Sequence, residues 1–133
     1  MDSFINAPEL FTDYIAISPS LWWDDRALAR RAGELLRRPR LADRRLYLTI
    51  ADEGGTMQDG VDQLTAALRE SSGPSGAWLY SDQRATRTHA TIYHSAAEAA
   101  FRWLYPVTQP PAERSPWFMI DGAAPPPKSA GED

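Results

Sequence analysis

A chain of 133 residues, 43% of them hydrophobic, makes one domain at most, with a core of modest size. It has no cysteine, which excludes disulfides, thiolate metal sites and cysteine nucleophiles. A formal net charge of −4 argues against nucleic acid as a partner; no apolar run approaches the roughly 18 residues of a membrane span, and Met1-Asp2-Ser3 is not the basic start of a signal peptide, so a cytoplasmic location is expected.

From the start, Asp2 to Phe11 holds Phe4, Ile5 and Leu10 but is interrupted by Pro8, a poor free-standing helix. Tyr14 to Ile17 is aromatic and β-branched enough for a buried strand, and Pro19 forbids its continuation, which predicts a strand over about 14–18. A Ser18-Pro19-Ser20 turn and the pair Trp22-Trp23 follow, just past the strand's carboxyl end, where open α/β sheets build ligand sites. Asp24 or Asp25 is placed to cap the next helix. Leu28, Ala32, Leu35 and Leu36 then recur as one apolar stripe of a helix over about 26–38, ended by Pro39. The arginines from Arg26 to Arg45 read as its solvated face, with an anion-attracting rim as the alternative.

Leu46, Leu48 and Ile50 alternate with Tyr47 and Thr49, a strand over about 45–51 with two apolar faces, stopped by Asp52-Glu53-Gly54-Gly55. Val61, Leu64 and Leu68 line a helix over about 58–70, and Ala77-Trp78-Leu79-Tyr80 opens a third strand over about 77–81. Ser81 to Thr91 is polar, aperiodic and carries His89. Ala97, Ala100, Phe101 and Leu104 mark a last helix over about 96–105, ended by Pro106. Strand and helix thus alternate three times, which predicts an α/β fold with a small parallel sheet and crossover helices. Seven of the eleven prolines fall at or beyond Pro106, so the chain divides into a domain over 1–105 and a Pro-rich tail over 106–133. In that tail, Trp117 to Ile120 is expected to dock and 121–133 to lack order.

The run Ile15-Ala16-Ile17-Ser18-Pro19-Ser20-Leu21-Trp22-Trp23-Asp24-Asp25 resembles the segment after the sixth strand in the esterase branch of the α/β-hydrolase superfamily, the enterochelin-esterase-like and esterase-D-like serine hydrolases. Pro8-Glu9-Leu10-Phe11 resembles the approach to that strand, and the likeness runs more loosely to Tyr105. It implies the later part of an α/β-hydrolase fold and Ser-His-acid chemistry on carboxylic esters, with a small-molecule ester as substrate and no cofactor. The nucleophile elbow of such enzymes, Gly-x-Ser-x-Gly, occurs nowhere in the 133 residues. On this reading the chain starts just downstream of the elbow, a truncated hydrolase with at most trace activity alone.

The resemblance assigns roles to particular residues. His89, in His89-Ala90-Thr91-Ile92-Tyr93, stands where the family carries its general base, with Thr88 in place of the usual glycine. Glu53 is the first choice for the orienting acid and Asp52 the second, after a strand end in which Ala51 replaces a common glycine. Ser18, Ser20, Trp22 and Trp23 become candidate substrate contacts. Each has a plainer rival: turn formers for the serines and acids, packing for the tryptophans, a surface position for His89. His89 and His94 lie five apart with no third ligand marked, so no metal site is expected. The alternative function is a non-catalytic binding module, in which the unpaired edge of the first strand recruits a partner or a second copy.

Overall fold

The computed structural model describes residues 1–37, 43–71 and 77–108. The expectations for Trp117 to Ile120 and for 121–133 lie outside these residues. The elements in order are α1 (Asp2–Asn6), a 3-10 turn (Pro8–Leu10), β1 (Asp13–Ile17), α2 (Trp23–Leu35), β2 (Arg45–Ile50), α3 (Gly55–Ser71), β3 (Ala77–Asp82) and α4 (His89–Leu104). The three strands form one parallel sheet in the order β1-β2-β3, an α/β fold as the sequence predicts. No helix among the described residues is long and apolar enough to cross a membrane.

The alternation in β2 is what makes the sheet two-sided. Leu46, Leu48 and Ile50 are fully buried on one face, in a core with Phe4 and Ile5 of α1, Ala32 and Leu35 of α2, and Val61, Leu64 and Leu68 of α3. Tyr47 and Thr49 turn the other way and are equally buried. On that second face Ile92 and Ala96 of α4 pack with Ala51 and Ile17, and the Trp103 ring lies 6.4 Å from that of Tyr47. A central strand covered on both sides has this composition because neither face can take a charge. The Thr49 hydroxyl is buried without penalty, since it donates to the Ser81 carbonyl at 2.6 Å.

Tyr14 fastens the start of the chain to β1. Its hydroxyl donates to the Pro8 carbonyl at 3.1 Å and accepts from the Phe11 amide at 3.2 Å, while its ring meets Phe4 edge-on at 5.1 Å. After β1, Ser18 takes a left-handed φ of 44° and the chain crosses so close to α3 that a Cβ on Gly60 would sit 2.8 Å from the Cβ of Leu21. Only glycine allows that approach. The cap expected from Asp24 or Asp25 does not form. Asp24, Asp25 and Arg26 are left-handed, with φ of 49°, 48° and 59°, and the right-handed turns of α2 follow them. Asp25 instead pairs with Arg30.

The largest departure from the predicted boundaries is α4, which begins at His89, seven residues before the expected start near 96. The apolar stripe in fact runs Ile92, Ala96, Ala100, Leu104, all buried and four apart. Thr88 supplies the start signal, its amide donating to the Thr91 hydroxyl at 3.0 Å in a capping box.

At the opposite end of the strands Arg45 closes the fold. Its Nε and Nη2 donate to the two oxygens of Asp13 at 2.6 and 2.8 Å, and its Nη1 to the Leu104 carbonyl at 2.6 Å, one of the carbonyls α4 leaves open at its end. Hydrogen bonding from Arg45, then from Tyr105, holds the Asp13 carboxyl below its usual range. A lowered carboxylate pKa stabilises the folded chain above the ordinary aspartate value near 4, and that stability is lost as pH falls through the lowered value. Urea unfolding across pH 2–7 is therefore expected to show an acid limb below about pH 4 that flattens in Asp13→Asn. An unchanged limb in the variant would place the acid sensitivity elsewhere.

Candidate active site

Three chain segments converge beyond the carboxyl end of β2. The amide of Gln83 donates to the Ile50 carbonyl at 3.0 Å, and the amide of Asp52 to the Arg87 carbonyl at 2.9 Å, so the 83–88 loop is tied to the end of β2. That tie delivers the first residue of α4 to the turn after β2. There Gly54 and Gly55, at φ of 62° and 52°, swing the chain into α3 and leave the Glu53 side chain directed inward.

The result is a carboxylate and an imidazole in contact across 36 positions of sequence: His89 Nδ1 lies 2.8 Å from Glu53 Oε1. Their environments differ sharply. The Glu53 side chain is only 4% exposed, whereas that of His89 is 57% exposed. An ionised carboxylate can only accept, so opposite Glu53 the ring places a proton on Nδ1, and Nε2 lies on the side of the ring away from the acid. Nε2 lies 3.2 Å from the hydroxyl of Tyr93, which can donate to it when the ring proton is on Nδ1; the two rings are perpendicular at 5.3 Å. The second oxygen of Glu53 is buried with no hydrogen-bond partner among the described residues.

Asp52, the other acid of the predicted pair, is exposed and meets the site only through its backbone. Ser18 is buried at the end of β1, its hydroxyl accepting from the Ala51 amide at 3.4 Å. Ser20, Trp22 and Trp23 line a separate cavity of about 640 Å³ shared with Asp2 and Asn6 of α1 and Leu28 and Arg31 of α2. None of its lining residues belongs to the His89–Glu53 pair. His94 takes no part in the pair either. Tyr93 is the group the sequence reading misses. The signal for it is spacing four from His89 on one helix, and it is hidden when the helix is started at 96.

A buried carboxylate behind an exposed imidazole is chemically able to orient the ring and to let it take up a proton. Among solved structures the chain is similar to the siderophore hydrolase EstB from Aspergillus nidulans, with a TM-score of 0.57 and 18% identity over 81% of this chain and 45% of that one. The two share a fold. The chain thus spans less than half the length of that protein, and at this identity the likeness is one of architecture. No family model matches the chain, and no curated protein does.

Proposed function

We propose that this chain carries the acid and base of an ester hydrolase of the Ser-His-acid kind. The observation that carries the reading is the 2.8 Å contact between a buried Glu53 and a solvent-facing His89 beyond the carboxyl ends of parallel strands. The sequence likeness to enterochelin-esterase-like hydrolases and the shared fold with a siderophore hydrolase support it. Carboxylic esters are the substrate class, and a siderophore ester is the specific candidate the structural neighbour suggests.

In this mechanism Nε2 of His89 takes the proton of an attacking serine hydroxyl, the imidazolium is steadied through Nδ1–H on Glu53, and the proton passes on to the departing alcohol. The serine comes from outside these 133 residues, which contain no elbow. A triad without its nucleophile and elbow-side oxyanion hole keeps almost none of its rate. The purified chain is therefore expected to show no more than trace hydrolysis of a fluorogenic short-chain ester. Adding the elbow-bearing half of such a hydrolase as a separate polypeptide is expected to produce turnover that His89→Ala abolishes. Robust turnover by the chain alone, or turnover in the mixture that survives His89→Ala, overturns the reading.

A second reading, a binding module, is favoured by one observation. β1 pairs on one side alone among the described residues, and Ile15 on it is 38% exposed.

A further inference from the structure

Glu53, His89 and Tyr93 form a continuous relay: carboxylate, imidazole, hydroxyl, with the base 2.8 Å from the group that orients it and 3.2 Å from the hydroxyl in front of it. These are the separations that mark an activated nucleophile whatever side chain bears the hydroxyl, and tyrosine is among the residues that form covalent intermediates. We propose that Tyr93 is itself an acyl acceptor, activated by His89, toward activated acyl donors such as aryl esters and thioesters. The inference rests on the reading of Glu53 and His89 as an acid–base pair and adds to it a nucleophile within the chain.

The Tyr93 oxygen bonds to the acyl carbon while its phenolic proton moves to His89 Nε2. The bond between that carbon and the leaving aryloxide or thiolate breaks, and the leaving group departs with the electron pair. The imidazolium, held by Glu53 through Nδ1–H, returns its proton to solvent. The product is an aryl ester on Tyr93. Alkyl esters are excluded as donors because a phenolate leaves far more readily than an alkoxide, so the tetrahedral adduct collapses back to the alkyl ester. Access is open, since Tyr93 is 46% exposed and the His89 side chain 57% exposed. Tyr105, 53% exposed, offers a comparison within the same molecule, because its hydroxyl donates to the Asp13 carboxylate and touches no imidazole.

The test is incubation of the folded chain with excess p-nitrophenyl acetate, following p-nitrophenolate release and locating the acetyl group by peptide mass spectrometry. Release of about one equivalent per chain is expected, with the acetyl group on the peptide bearing Tyr93 and not on Tyr105. Tyr93→Phe, which removes one exposed hydroxyl, is expected to lose this burst, and His89→Ala to slow it roughly 100-fold. Acetylation of Tyr93 no faster than of Tyr105 in the unaltered chain overturns the inference, as does a burst indifferent to His89→Ala. If Tyr93 stays unlabelled while the mixture with an elbow-bearing half still hydrolyses ester through His89, the tyrosine inference falls and the acid–base reading stands.

Discussion

Glu53→Gln is expected to lower His89-dependent ester hydrolysis, measured in the mixture with an elbow-bearing half, by about 1,000- to 10,000-fold. In the proposed mechanism the carboxylate, 2.8 Å from Nδ1, accepts from it and so favours the tautomer with Nε2 unprotonated. An amide has a nitrogen that donates as well as an oxygen that accepts, so it permits the opposite tautomer and cannot steady the imidazolium. Stability is expected to move the other way or not at all. The second oxygen of Glu53 is buried with no partner among the described residues, an arrangement that costs a carboxylate free energy and costs a neutral amide less. A loss of activity with an unchanged melting temperature is the signature of a residue kept for chemistry. Asp52→Asn, on the exposed neighbour, is expected to leave the rate near its original value. If the two variants behave alike, Glu53 is not the orienting acid.

Leu48→Ala is expected to cost about 2–5 kcal/mol of folding stability. Leu48 has no exposed surface, sits in the middle strand in register with Ala16 on one side and Tyr80 on the other, and belongs to the larger of the two cores. Neighbours from two strands and the helices above it cannot all collapse into the space a leucine leaves, so a cavity term adds to the lost transfer energy. For a domain of this size the melting temperature should fall by roughly 10 °C or more. Ile15→Ala, at the outer edge of the sheet, is the comparison and should cost far less, because its side chain is already 38% exposed. Equal losses in the two variants would show that the α1–α3 face is not the dominant core.

Local pattern in the chain is enough for much of this. The alternation of Leu46 to Ile50, the stop at Pro19 and the stripes of α2 and α3 each follow from which side chains recur at a period of two or near 3.6, and the parallel order follows from strands separated by helices. The start of α4 was readable in principle from Thr88 and from Ile92, but a polar stretch with one apolar residue per turn carries a weak periodic signal.

What the chain's order alone could nominate was a histidine and two adjacent acids; the tertiary structure decided which acid meets the ring. Neighbouring residues at a strand end point to opposite sides, and which of Asp52 and Glu53 turns inward depends on the left-handed turn at Gly54 and Gly55 and on the tie between Asp52 and Arg87. The separation of the Trp22–Trp23 cavity from the His89 pair, and the presence of the Tyr93 hydroxyl at Nε2, are likewise set by which face of the sheet each helix covers. A one-dimensional pattern reports burial and period, whereas the meeting of side chains 36 residues apart depends on the path of the backbone between them.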